Sequence, residues 1–195
     1  TLFPYTTLFR FDIIIDDVGY FAETPFHQGQ TAAVTSPNNA GLIQQAVNEV
    51  TAGGALYFSS AANSGNKNDG WSGTWEGDFV DGGAVSGVVG SFEVNQGRFH
   101  DFDPSAALST YDLVTAGGGA YPSLFWPDPL GGSNNDYDIF LLNSTGTSIV
   151  AFSANTQTGT QDPIELANIS SIAANTRIVV VKYSGADRFL HVGVN

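Results

Sequence analysis

The chain has 195 residues, enough for one or two domains with a sizeable core. It holds 23 glycines, 12% aromatic and only 13% charged residues, which argues against a coiled coil or a disordered chain and for turn-rich β structure. Six Lys and Arg give a net charge of -13, so nucleic acid and anionic membrane surfaces are poorly matched partners; the absence of cysteine excludes disulfides, thiolate metal sites and a cysteine nucleophile. No apolar run approaches the ~20 residues that span a bilayer. An acidic, lysine-poor surface suits a secreted, extracellular protein or one that binds Ca²⁺.

Residues 1–10, TLFPYTTLFR, follow neither a helical nor a strand period. They resemble a translated sequencing-adapter peptide and are read as a non-native scar, which implies a chain truncated at its start. Residues 11–68 form the first unit. Residues 11–15 are a compact apolar strand of the kind buried on both faces of a parallel sheet, ending at Asp16-Asp17. A long loop leads to Asn38 and Asn39, either of which suits a helix cap. Leu42, Ile43, Ala46, Val47 and Val50 then fall on one helical face, and Gly53-Gly54 ends the helix. Residues 55–61 are a second strand that runs into Asn63-Ser64-Gly65. Strand, helix and strand make a βαβ crossover, parallel in nearly all cases. Asp16-Asp17 and Asn63 are therefore expected at the same sheet edge, where open α/β sheets bind ligands.

This unit resembles the subtilisin-like serine proteases (subtilases). DIIIDDVGY is similar to the family's strand and the segment that lines its substrate groove, with Gly19 matching the family's Gly and Asp17 standing where a Ser is usual. GLIQQAVNEVTAGGALYFSSAANSG is similar to its helix, strand and Ala-Gly-Asn-x-Gly turn. Asn63 occupies the oxyanion-hole position and Gly65 the following Gly, while Ala62 departs from the family's Gly just before that Asn. The resemblance implies that the Asn63 amide stabilises the tetrahedral oxyanion of peptide hydrolysis, and that Asp17, Val18 and Gly19 bind a polypeptide substrate. Read by residue type alone, Asn-Ser-Gly is also good turn chemistry. The family's triad runs Asp, His, Ser. The chain holds no Gly-Thr-Ser-x-x-x-Pro motif, and Ser123, Ser144, Ser148, Ser170 and Ser184 lack that context. His27, His100 and His191 lie outside the family's His-Gly-Thr setting and read as loop or surface residues. Asp16 and Asp17 match the groove rather than a triad acid. No catalytic triad is expected in this chain.

Residues 69–97 read as a Gly-rich, aromatic linker with one short strand. Asp69, Glu76, Asp78 and Asp81 supply oxygen ligands of the kind Ca²⁺ takes, but at no EF-hand spacing, and solvated loop acids are the plainer reading. No cofactor is otherwise indicated. From residue 98 to 195, short apolar runs recur at 111–115, 123–126, 137–142, 148–152, 164–169, 178–183 and 189–194, separated by turn signals. That spacing predicts an antiparallel, jelly-roll-like β-sandwich, with Leu124, Trp126, Ile139, Leu141, Val150, Phe152, Ile178, Val180 and Phe189 as its core. Asp136-Tyr137-Asp138-Ile139-Phe140-Leu141 resembles the Asp-x-Asp-x-aromatic-Leu strand of pre-peptidase C-terminal modules, which some subtilases insert between the oxyanion Asn and the catalytic Ser. The fold class expected is thus an α/β fragment, a parallel βαβ of a subtilase-like sheet, followed by an antiparallel β-sandwich. The function expected is a fragment of a secreted serine endopeptidase, inactive by itself. The alternative is a non-catalytic extracellular β-sandwich that binds carbohydrate or Ca²⁺, with Trp71, Trp75 and Trp126 as a stacking surface.

Overall fold

The computed structural model describes residues 11–20, 23–26, 41–66, 68–85, 87–89, 92–94, 96–105 and 107–194. The expectations placed on residues 1–10, His27, Asn38 and Asn39 lie outside them. The fold is mostly antiparallel β-sheet with one short helix.

The first unit comprises β1 (Ile13–Asp16), α1 (Leu42–Ala52) and β2 (Leu56–Ser59). β1 and β2 pair in parallel, with Ile13 opposite Leu56 and Asp16 opposite Ser59. α1 begins at Gly41, whose φ of 90° leaves no side chain to cap it. The Glu23 carboxylate does so from a distance in sequence: it accepts the amides of Gly41 (3.0 Å) and Ile43 (3.1 Å), placing negative charge on the positive end of the helix. Gly54, at φ 95°, turns the chain out of the helix. The sheet is not buried on both faces, as the apolar run predicts. Ile13 and Ile15 on β1, and Leu56 and Phe58 on β2, share one face and are more than half exposed. The reason is the number of covering elements: a two-stranded sheet with a single helix has only one face to protect.

Two facing sheets make up most of the rest. The larger runs in the order β13 (Ile149–Ser153), β12 (Asp136–Leu142), β15 (Arg177–Ser184), β9 (Arg98–His100), β6 (Asp81–Ala84), and β10 (Asp112–Leu113) pairs β15 beside β9. The smaller runs β14 (Ile164–Leu166), β11 (Ser123–Phe125), β16 (Phe189–Gly193), β5 (Thr74–Asp78). All these pairings are antiparallel, as the turn-punctuated alternation predicts. The core between the sheets holds Leu124, Trp126, Tyr137, Ile139, Leu141, Ile178, Val180 and Leu190.

Three corrections follow. The segment 69–97 is not a linker: β5 pairs β16 over five residues, and β6 pairs β9. The hairpin of β7 (Gly87–Val89) and β8 (Phe92–Val94) then folds over the outer face of the larger sheet, where Val89 and Val94 join Phe140, Leu142, Val179 and Val181 in a second apolar cluster. Val150, Phe152 and Phe189 are not core residues, being 49%, 46% and 38% exposed. Ala151 and Ser153 pair with the inward Leu141 and Ile139 and so point inward instead, Phe152 stacks on Phe140 at the outer face, and Val150 is the extra residue of a bulge between the Leu141↔Ala151 and Leu142↔Ile149 pairs. His100 is neither in a loop nor at the surface. It is fully buried among Trp75, Phe79 and Phe102, and its Nδ1 accepts the amide of Val80, which requires a neutral ring; burial pushes its pKa down to about 4.

One polar network ties the sandwich loops. Buried Asp128 accepts from Asn135 Nδ2 (2.7 Å), Ser133 Oγ (2.9 Å) and Arg188 Nε (2.7 Å), and Trp126 Nε1 donates to Ser133 (3.0 Å). Asn135 Oδ1 accepts the amide of Ala186, which joins the β11–β12 loop to the β15–β16 turn. Burial pushes the Asp128 carboxyl up, but Arg188, Asn135 and Ser133 together hold it below the usual range. Removing the carboxylate leaves several buried donors unpaired. Asp128→Ala is therefore expected to lower the unfolding free energy by about 2–3 kcal/mol in urea titrations, against near-neutrality if the network were ornamental.

Candidate functional site

The parallel register carries the ends of β1 and β2 to one edge. After β1, Asp16 fixes the chain. Its carboxylate accepts the amide of Val18 (3.1 Å), the hydroxyl of Tyr20 (2.9 Å) and the hydroxyl of Tyr57 on β2. These bonds, Tyr57 first, hold the Asp16 carboxyl below its ordinary range, while burial and the same bond push Tyr57 up to about 12. The segment 17–20 is thereby anchored to β2.

After β2 the backbone turns sharply. Ala62 has φ 58°, the left-handed region that side chains disfavour, and Asn63 follows it with its side chain exposed. Gly65 is left-handed at φ 77°, and a Cβ there would lie 2.5 Å from the Trp71 carbonyl oxygen and 2.6 Å from its ring. Gly73 donates its amide to Ser64 O at 2.6 Å. This bond fastens the turn to the strip formed by β4 (Trp71–Ser72) and β5.

A cleft of about 560 Å³ opens at this edge. One wall is Gly19, Tyr20, Glu23 and Thr24 with Asn63 and Ser64; the other is Ser123, Phe125 and His191 from the outer face of the smaller sheet. Of the sequence-predicted residues, the fold brings Gly19 and Asn63 to the same cleft. Asp17 and Val18 are exposed next to Gly19 and are not part of the lining. His191 was missed as a cleft residue. Its Nδ1 lies 2.7 Å from Glu76 Oε1, its cross-strand neighbour, and its ring meets Phe125 edge-on at 6.0 Å. Alternation along β16 does place His191 opposite the inward Leu190 and Val192. Nothing in the sequence says that the opposite face is covered by the first unit.

The cleft offers an amide donor (Asn63), an imidazole held by a carboxylate, and hydroxyls at Thr24, Ser64 and Ser123. Among the described residues no serine hydroxyl is hydrogen-bonded to a histidine, so no nucleophile–base pair is formed. The acids considered for Ca²⁺ do not converge: Asp69 accepts from Asn66, Glu76 meets His191, and Asp81 takes Arg98 Nε through both oxygens. Among the described residues no group of three or more His, Asp or Glu is arranged to hold a metal ion. Among the described residues no helix is long and apolar enough to cross a membrane.

Further acids are buried away from this cleft. Glu165 is fully buried, and Gln157 Nε2 (2.7 Å), the Asn155 amide (3.0 Å) and the Ser153 hydroxyl donate to it; burial still raises it to about 7. Asp138 is raised to about 8, by burial first and then by the charges of Asp136 and Glu165. Both carboxyls are thus raised well above the ordinary carboxylate range.

Comparison with protein-family models, with curated proteins and with solved structures finds no match for this chain.

Two outcomes test the site and its support. Ala62 pays a left-handed penalty that Gly does not, so Ala62→Gly is expected to raise stability by about 1 kcal/mol in thermal melts; a loss of stability would mean that the turn is relaxed with Ala. For Asp138 the folded state favours the protonated form. Its contribution is fully present below the ordinary Asp range and is lost as pH rises through about 8. Asp138→Asn removes that titration, so its Tm relative to the unmodified protein should climb by several degrees between acid and mildly alkaline pH. Parallel Tm–pH curves would show that Asp138 is not raised.

Proposed function

We propose that this chain is part of a secreted subtilisin-like serine endopeptidase, bearing the oxyanion-hole residue Asn63 and the substrate-groove segment of Asp17, Val18 and Gly19. The observation that carries the reading is the parallel β1–β2 register, which sets Gly19 and Asn63 on one cleft. Two features support it. The residue before Asn63 takes a left-handed conformation at the position where the family has Gly, so the turn has the shape that a glycine serves. The bare face of Ile13, Ile15, Leu56 and Phe58 suits a sheet that is one piece of a larger parallel one, since parallel sheets are covered on both sides. The β-sandwich then stands as a module beside the substrate cleft and contributes Phe125 and His191 to its wall.

The chemistry follows from what Asn63 can donate. Attack on a peptide carbonyl turns its oxygen into an oxyanion. An amide N–H aimed at that oxygen, in a cleft that excludes water, stabilises the charge as it forms and does little for the uncharged ground state. The donor alone performs no hydrolysis, because nothing in the cleft generates the charge. On this reading the Asp, His and Ser of the triad belong to other parts of the protein.

The chain by itself should leave a chromogenic peptide intact. In the full-length gene product, Asn63→Ala should lower kcat by ~10²-fold or more with KM little changed, the magnitude being the subtilisin precedent itself rather than a derived figure. Near-unchanged kcat in that variant would return Asn63 to a plain turn residue.

A further inference from the structure

A second groove, of about 430 Å³, opens at one end of the sandwich, between β4 with the start of β5 on one side and β10 with the loop after it on the other. Its floor is apolar: Ile178, Val192 and Val194. Its rim carries Trp71 and the carboxylate of Asp112. Trp71 is 56% exposed, with its ring seated against Gly65.

The charge arrangement is one-sided. Asp112 stands opposite Ile178 in the β10–β15 pairing, so both project to the inner face and toward the groove. Its carboxylate accepts the adjacent Leu113 amide at 2.8 Å. Arg177, the cation of the facing strand, pairs with Leu113 and projects to the opposite face, where its guanidinium lies 4.5 Å over the Tyr111 ring. Among the described residues no Lys, Arg or His lines the groove. A half-buried carboxylate therefore lines the same groove as the apolar floor and an exposed indole, and no cation among the described residues lines it with them. Burial raises its pKa accordingly.

We propose that this groove binds the side chain of an arginine or lysine presented by a peptide. The methylene stem would lie along Ile178, Val192 and Val194, as long cationic side chains do on apolar surface. The charged head would pair with Asp112 and rest against the face of Trp71, an arrangement that gains strength where water is displaced. A neutral pyranose would also stack on Trp71, but its hydroxyls would find apolar floor where they need acceptors, and it would leave the Asp112 charge uncompensated. The overall charge of -13 favours the approach of a cationic peptide in the same way. This inference is independent of the protease reading and stands or falls without it.

The test is a calorimetric and Trp-fluorescence titration of the chain with three probes at matched concentrations: acetyl-Ala-Ala-Arg-Ala-Ala-amide, the same peptide with norleucine for arginine, and cellohexaose. The arginine peptide should bind at least tenfold more tightly than the norleucine peptide, and less tightly as NaCl is raised. Asp112→Asn, which keeps shape, should abolish that preference while leaving the melting curve in place, and Trp71→Ala should weaken the arginine peptide at least threefold. Equal binding of the arginine and norleucine peptides would reduce the groove to an apolar slot. Binding of cellohexaose in preference to either peptide would make it a sugar site. No binding of the arginine peptide at millimolar concentration would also overturn the proposal.

Discussion

The pairing of β12 with β15 is the constraint on which the rest of the sandwich depends. All seven residues of β12 are buried, and so is the middle of β15. A strand pair that is apolar on both faces must be covered on both, since its side chains alternate between them. The inner cover is the smaller sheet, with Trp126 and Leu190 at its centre. The outer cover is the β7–β8 hairpin, which brings Val89 and Val94 over Phe140 and Val181. The segment between the βαβ unit and β9 is therefore structural. Without it the larger sheet would show water a row of Phe, Leu and Val.

The same logic fixes the cleft. The smaller sheet turns Leu124, Leu190 and Val192 to the core, which leaves Ser123, Phe125, Phe189 and His191 on its other face. The first unit lies over part of that face: Phe26 meets Phe189 edge-on at 6.2 Å, and Leu130 approaches the helix start at Gly41. The cleft is the part left open between them. Its two walls come from different layers, so its shape depends on how these layers pack and not on any single motif.

Much of this was legible in the residues. The βαβ order, the parallel pairing and the shared edge of Asp16 and the turn at Asn63 follow from a β-branched run, a helical stripe and a Gly-Gly stop. The seven later strands follow from alternation between turns. β5 and β6 were not legible, because Thr74-Trp75-Glu76-Gly77-Asp78 and Asp81-Gly82-Gly83-Ala84 hold few strand formers; pairing with β16 and β9 imposes the conformation. The inward phase of β13 was misread because alternation alone does not say which face meets the core, and here the small Ala151 and Ser153 face it while Val150 and Phe152 do not. His100 was misread because a lone histidine carries no mark of burial until three aromatic rings close around it. His191 shows the limit for the site: its outward direction can be read from β16, but the wall it faces cannot.

The position of β16 has a consequence for how the molecule comes into being. This strand, which follows every other described strand in the sequence, sits inside the smaller sheet between β11 and β5, and its His191 meets Glu76 across 115 residues of chain. During synthesis β5 emerges long before its partner and must wait with one edge unpaired. Non-local pairing of this kind makes folding slow and leaves strand edges exposed while it proceeds. One wall of the cleft is present early, in the βαβ unit, and the other only when β16 has slotted into place. Binding at the cleft is thus a property of the closed sandwich, absent from every shorter nascent chain.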